Sequence, residues 1–314
     1  MNANIDLMQL RFFVAVVDAG SITKASRACN IAQPALSKRI SNLEFAMRVP
    51  LLHRGHAGIR VTEQGQLLYQ TAQRMLHEME RVIDQIHSAE DNPVGEVRVG
   101  CVNSLGGLLG APLAMRVREA YPNVRLSFVV GHTSEIYRAL SDGLFDLGLI
   151  VRDKEIENLD VDLSVTEEMF IVAGKELPGL PTDDVIEPEA LGNIPFVFPT
   201  ARSFASGRYT IEFFRRKGIT LQVLAEIDGE AIRDLIATGY GACVMPASFV
   251  ESDVASGRVC LKRLRGIPLS RDIALCSTVD RPRTLAARVL AREVRQILLD
   301  QIASDRWRYA RVSK

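Results

Sequence analysis

Gln33, Ser37 and Lys38, with Ser41 close behind, fall on one side of a segment whose other side carries Leu36, Ile40, Leu43 and Met47. That spacing is helical. The polar side offers amide, hydroxyl and ammonium groups, which can hydrogen-bond to base edges and phosphates. Pro34 stands where a first-turn amide has no intrahelical partner, so it is compatible with the helix start. Other groups able to do chemistry are sparse. Of five histidines, His53 and His56 lie beside Arg54 and Arg60, His77 and His87 lie in a long helical stretch, and His132 stands alone further on. No H-E-x-x-H, P-loop or G-x-S-x-G occurs, and Gly239-Tyr240-Gly241 follows a helical stretch instead of a strand, unlike a dinucleotide fingerprint. The pattern argues against an enzyme. Five scattered cysteines show no C-x-x-C and no metal-ligand spacing, and read as reduced, mostly buried thiols. A switch pairing Cys101 with Cys243, Cys260 or Cys276 is the redox alternative.

The elements that must position the polar helix are legible on either side of it. Leu10, Phe13, Val14 and Val17 recur at helical spacing and end at Ala19-Gly20. Ser21 then caps a second helix, from about Ile22 to Cys29, in which Ala25 and Ala28 are small enough for close packing. A short helix, a tight break and a helix with a polar, basic face make a helix-turn-helix, a shape suited to duplex DNA. Pro50 ends the third helix. Leu51 to Val61, with Gly55 and Gly58 in the middle, reads as a hairpin that could serve as a wing. Thr62 caps a long helix with no proline before Pro93. In it Leu68, Ala72, Met75, Met79, Val82 and Ile86 are spaced 4, 3, 4, 3, 4, as in a coiled-coil seam. A helix packed on its own domain explains one apolar face equally well. An intermolecular seam is favoured because the helix follows a complete small domain and precedes the break at Asp91-Asn92-Pro93.

Charge supports the same division. The 314-residue chain is formally neutral, yet residues 1–60 hold eight basic side chains against three acidic ones, a surplus of five that the remainder must balance. A basic head on an acidic body fits a DNA-binding domain joined to another function. No apolar run approaches the ~18 residues needed to span a bilayer, and no basic-then-apolar leader begins the chain, so a cytoplasmic protein without a membrane partner is expected. From Val94 onward strands alternate with helices. The strands are Glu96–Val102, Val124–Val130, Asp146–Val151, Met169–Ala173, Ile194–Phe198, Leu221–Ile227, Cys243–Met245 and Arg271–Cys276, and a last helix runs from Leu285 to Ile302. Such alternation predicts a parallel, doubly wound sheet.

From Leu10-Arg11-Phe12-Phe13 through Gly20-Ser21-Ile22-Thr23, Ala32-Gln33-Pro34-Ala35-Leu36-Ser37 and Val49-Pro50-Leu51-Leu52 to Val61-Thr62-Glu63-Gln64-Gly65, the order and spacing resemble a LysR-type transcriptional regulator. Asp146-Leu147-Gly148-Leu149 and Ala237 to Pro246 extend the likeness less specifically. Cys29, Ala32 and Leu52 depart from the usual leucine, serine and phenylalanine. Only the second departure gives up something, a cap commonly worth ~1 kcal/mol. The resemblance implies an α+β multidomain chain: a winged helix-turn-helix at 1–62, a linker and dimerisation helix at 63–92, and a two-lobed α/β effector domain at 93–314. The effector domain would resemble periplasmic solute-binding proteins, with one lobe at 94–166 and 268–314 and the other at 167–267. A plain solute-binding protein is disfavoured by the basic head.

Within that frame the third helix enters the major groove. Gln33, Ser37 and Lys38 would contact base edges, Pro34 and Ala35 would lie against thymine methyls, and Lys24, Arg39, Arg54 and Arg60 would meet phosphates. A merely solvated basic face is the plainer alternative. Ligands of open α/β sheets sit beyond the carboxyl ends of strands. Here those places hold Asn103 and Ser104, His132 and Thr133, Thr200, Arg202 and Ser203, with Asp228 at the rim. Hydroxyls, amides and one arginine at helix starts suit a small organic anion, such as an aromatic or aliphatic carboxylate. Ser104, Thr133 and Thr200 could instead be simple helix caps, and Arg202 a surface arginine. The expected partners are an operator in double-stranded DNA, an anionic effector, further copies forming dimers and tetramers, and RNA polymerase in contact; no cofactor or metal is expected.

Overall fold

Phe13 and Val16 in one helix, with Leu36, Ile40 and Leu43 in another, are buried together, as their helical spacing requires. In the computed structural model the described residues are 5–55, 58–87, 92–152, 156–200, 207–227, 229 and 231–313. They fall into two compact units, Met1–His87 and Ser88–Lys314. The first contains α1 (Leu7–Ala19), α2 (Ile22–Ala28), α3 (Gln33–Met47), the antiparallel strands β1 (Leu52–Gly55) and β2 (Gly58–Val61), and α4 (Glu63–His87). Asp6 caps α1 by accepting the Gln9 amide at 2.7 Å, and the Gln9 side chain accepts the Asp6 amide in return. Gly20, at φ 59, ends it in the left-handed region that glycine adopts at little cost.

The stripe on α4 divides. Ala72 is fully buried against Leu10, with Leu76 beside it and Leu68 and Val14 packed on the cluster. Leu68 and Ala72 are therefore spent on their own unit, which corrects their place in the expected seam. The physical reason is that α1 packs on this side of α4, with Leu10 and Val14 against Leu68, Ala72 and Leu76. Met75, Met79, Val82 and Ile86 are exposed, Ile86 by 74%.

The second unit runs β3 (Gly95–Val102), α5 (Gly106–Ala120), β4 (Val124–Gly131), α6 (Thr133–Ser141), β5 (Leu147–Val151), β6 (Leu159–Gly174), β7 (Val185–Ile186), β8 (Pro195–Phe198), α7 (Gly207–Arg216), β9 (Gln222–Glu226), α8 (Ala231–Ala237), β10 (Cys243–Pro246), α9 (Glu251–Ala255), β11 (Val259–Leu264), β12 (Ser270–Thr278), α10 (Leu285–Ala303) and β13 (Ala310–Val312). The main sheet has the order β4-β3-β5-β12-β6-β11-β7. Only part of it matches the parallel expectation: β4, β3 and β5 are parallel, whereas β12 lies antiparallel between β5 and β6. The long strand β6 was legible only as its last few residues. Up to Glu168 it is only partly buried and carries Asp160, Asp162, Glu167 and Glu168, while Phe170 to Ala173 are buried throughout. It therefore passes from one core, built around β3, β5, α5 and α10, to a second, built around Phe170–Ala173, Phe196–Phe198 and Val244. No described helix is long and apolar enough to cross a membrane.

Candidate nucleic-acid interface and ligand cleft

Complete burial of Leu36, Ile40 and Leu43 turns the other side of α3 outward. Gln33, Pro34, Ala35, Lys38 and Arg39 are exposed on it, and Ser37 is half-buried. Lys24 on α2 and Arg60 on β2 are exposed as well; the side chain of Arg54 lies outside the described part. The Arg39 guanidinium sits 5.2 Å from the centre of the Phe12 ring, a cation–π contact that ties it to α1. Backbone bonds close the turn that follows α2: Cys29 N–H donates to Ala25 O at 2.9 Å and Ile31 N–H to Ser26 O at 3.0 Å. Asn30 between them takes a positive φ of 52, which asparagine tolerates. Ala32, as expected, caps α3 without a side-chain bond.

Glu44 is one of the three acids in the basic head and part of the stretch that carries the family resemblance, with no role assigned to it from sequence. Its Oε1 accepts the amides of Leu51 at 2.9 Å and Leu52 at 3.1 Å, which fastens the wing to the reading helix. Thr62 does the same at the next junction. Its hydroxyl donates to Pro50 O and accepts the Gly65 amide, both at 2.9 Å. A Cβ on Gly65 would lie 2.1 Å from Leu51 O, so this contact admits glycine alone. The wing is also pinned to the first turn by Ile59 N–H donating to Gly20 O at 3.2 Å.

In the second unit a cavity of about 120 Å³ lies between residues of the two cores. Asn103, Ser104, His132 and Thr133 line it, together with Val102, Val151, Met169, Pro199, Ile232, Met245, Phe249 and Arg271. Thr200 is not in this lining, and Arg202, Ser203 and Asp228 lie outside the described residues. The cap alternative fails for two hydroxyls. Ser104 Oγ accepts from Arg271 Nη2 at 2.6 Å, and Thr133 Oγ1 accepts the Val151 amide at 3.2 Å; the helix they adjoin are capped by Leu105 and His132. Arg271 escaped the sequence reading because it begins a strand, whereas the search was for cations at helix starts. A wider, more polar cavity of about 1070 Å³ lies along α5, reaching Arg116, Arg233 and Arg306, and shares Asn103, Ser104 and Phe249 with the first.

Behind Arg271 stands Glu167, only 1% exposed. Its Oε2 accepts from Arg271 Nε at 2.8 Å and Nη2 at 2.6 Å, and its Oε1 from Ser248 Oγ at 2.5 Å and Trp307 Nε1 at 2.7 Å. Cys101 lies within the field of this arginine. Burial pushes its thiol up to about 12, with the guanidinium pulling the other way. Burial likewise raises Cys276 to about 12 and raises Cys243 and Cys260. Among the described residues no cluster of His, Cys, Asp and Glu is arranged to hold a metal.

Comparison with known proteins agrees with both halves of this geometry. Residues 7–66 match the model of the bacterial regulatory helix-turn-helix proteins of the lysR family, and residues 90–298 that of the LysR substrate binding domain. The nitrogen assimilation regulatory protein nac of Escherichia coli K12 is 25% identical over 302 residues, covering 96% of each chain. The HTH-type transcriptional regulator BenM of Acinetobacter baylyi is 29% identical over 259 residues, 78% of this chain and 81% of its own. Full-length CbnR in complex with its target DNA shares the fold, with a TM-score of 0.68 at 20% identity over 93% of this chain and all of that one. The chain therefore belongs to the LysR family, as a DNA-binding transcriptional regulator with an effector-binding domain.

Proposed function

We propose that the exposed face of α3 reads an operator and that a small organic anion, an aromatic or aliphatic carboxylate, occupies the cleft to control that reading. One observation carries the effector half: Asn103 and Ser104 after β3 and His132 and Thr133 after β4 converge on a single cavity, at the strand ends where open α/β sheets take ligands. A ligand favouring one arrangement of the two cores shifts their population, and the DNA-bound assembly responds. The exposed run Met75, Met79, Val82 and Ile86 on α4 supports pairing with a second copy, and dimers of this kind would assemble further into tetramers. The redox alternative is weakened by chemistry: peroxide attacks the thiolate, and buried thiols with raised pKa values hold almost none at neutral pH.

The DNA half is tested at the reading face. Lys38→Ala combined with Gln33→Ala should lower specific operator affinity by about 10-fold or more at moderate salt, since each base contact is worth ~1–3 kcal/mol. Non-specific binding should change far less. Specific binding that survives both changes would place the reading face elsewhere.

A further inference from the structure

The cleft's described polar groups are arranged to donate. Arg271 spends Nε and Nη2 on Glu167 and Ser104, and neither N–H of Nη1 has a partner among the described residues. Ser104 accepts from Arg271 and Thr133 accepts from Val151. A hydroxyl carries one proton besides its lone pairs, so each of these two keeps its own proton to give. Asn103 and His132 are the exceptions, each offering both a donor and an acceptor. Facing these donors are apolar side chains, chiefly Val102, Val151, Met169, Ile232, Met245 and Phe249. The space of about 120 Å³ holds roughly eight to twelve water-sized groups, which is one compact body. Arg271 is the only arginine or lysine in the described lining, and its charge is matched from behind by the buried carboxylate of Glu167.

We infer that the cleft selects a monocarboxylate with a compact apolar body. Its carboxylate is held by Arg271 Nη1 and the hydroxyls of Ser104 and Thr133, and Glu167 is the positioning residue that aims the guanidinium and sets the net charge of the site. The physical reason is the supply of donors. With its charge already matched by Glu167, Arg271 has only its Nη1 N–H groups left, which with the two hydroxyls can hold one carboxylate through charge-assisted hydrogen bonds. A second carboxylate on the same ligand would enter the apolar part unpaired, at a high desolvation cost. This inference rests on reading the cleft as the effector site.

Trp307 supplies a reporter. It is the single tryptophan, and its indole N–H bonds to the same carboxylate that holds Arg271. Tryptophan emission of the full chain would be titrated with benzoate, phthalate and benzamide, and in parallel with butanoate, succinate and butanamide. The expected result is saturable binding of a monocarboxylate from one series, with its dicarboxylate and amide counterparts at least 10-fold weaker. Arg271→Met should weaken that binding at least 10-fold. Because it strands Glu167, the double variant Glu167→Gln with Arg271→Met carries the same test without a buried unpaired charge. Glu167→Gln alone should narrow the preference for one carboxylate over two, a ratio that a purely structural role would leave unchanged.

Dicarboxylates binding as tightly as monocarboxylates would overturn the inference, as would failure of all six probes to bind the native chain. Full binding in the double variant would also overturn it, and Asn103→Trp, which blocks the exposed mouth of the cleft, then separates two cases. If binding is lost in Asn103→Trp, the cleft is the site but Arg271 is not its anchor. If binding survives there too, the ligand sits elsewhere and the effector reading of the cleft fails with it.

Discussion

Replacing Glu44 by alanine should damage the DNA-binding unit more than its half-buried surface position would suggest. The carboxylate is the acceptor for two amides, Leu51 N–H and Leu52 N–H, whose residues are 0% and 5% exposed. A buried donor left without a partner costs about 1–3 kcal/mol. Two such donors, with some relief from entering water, put the loss at about 2–4 kcal/mol. For a unit of this size each kcal/mol lowers the midpoint by about 4–8 °C, so the shift should be on the order of 10 °C or more. Glu44→Gln keeps a carbonyl oxygen where the amides point and should lose only about 1 kcal/mol. The two units can be followed separately because Trp307 lies in the second: melting of the first appears in circular dichroism and not in tryptophan emission. Glu44→Ala should therefore split the two traces, with the far-ultraviolet signal falling first, and operator binding should be lost with it. A Glu44→Gln variant that melts as low as Glu44→Ala would refute the reasoning, since charge and not the acceptor would then be what matters. An unchanged melt for Glu44→Ala would refute it more simply.

Ile86→Asp with Met79→Asp on the exposed run of α4 should shift the chain toward monomer in sedimentation while leaving both melting transitions within about 2 °C; an unchanged oligomer would remove α4 from the assembly. Arg60→Ala should weaken binding to specific and random duplexes alike and reduce the slope of log affinity against log salt by about one, as expected of one lost phosphate contact; a change confined to the specific operator would instead make Arg60 a base reader. The thiols give a pH dependence of definite sign. The folded-state pKa values of Cys101 and Cys276 are raised from 9.0 to about 12, so between those values the folded chain binds more protons than the unfolded one. Their contribution to stability is complete below about pH 9 and is lost as pH rises toward 12. Urea midpoints followed by Trp307 emission should fall across that window, and Cys101→Ala with Cys276→Ala should flatten the fall; an equally steep fall in that variant would assign the alkaline loss to other groups.

The helices of the first unit were readable because they use local information. Their apolar residues recur at helical spacing, and Gly20, Ser21, Pro34 and Thr62 mark ends by backbone preferences that need no tertiary partner. That Asn103, Ser104, His132 and Thr133 line one cavity was legible for a related reason: strand ends are visible in sequence, and in open α/β sheets the strand ends face a common crevice. The caps assigned to Ser104 and Thr133 as an alternative failed because their partners, Arg271 and Val151, are distant in sequence. Strand β6 was seen only at its apolar end. Its first half, with one face toward solvent and acids at Asp160 and Asp162, has no continuous apolar run to betray it.

Residue order therefore settled that this chain carries a helix-turn-helix with a polar face, and that an alternating α/β body follows it. Those features depend on contacts a few residues apart, which periodicity and capping report directly. Folding settled where the long-range partners meet. It placed Glu44 under the wing, committed Leu68 and Ala72 to α1, and brought Arg271 to Ser104 across 167 positions of sequence. A carboxylate such as Glu167, joined to residues 81, 104 and 140 positions away, looks like any other acid until the strands assemble, because its role is defined by which donors surround it and not by its neighbours in the chain.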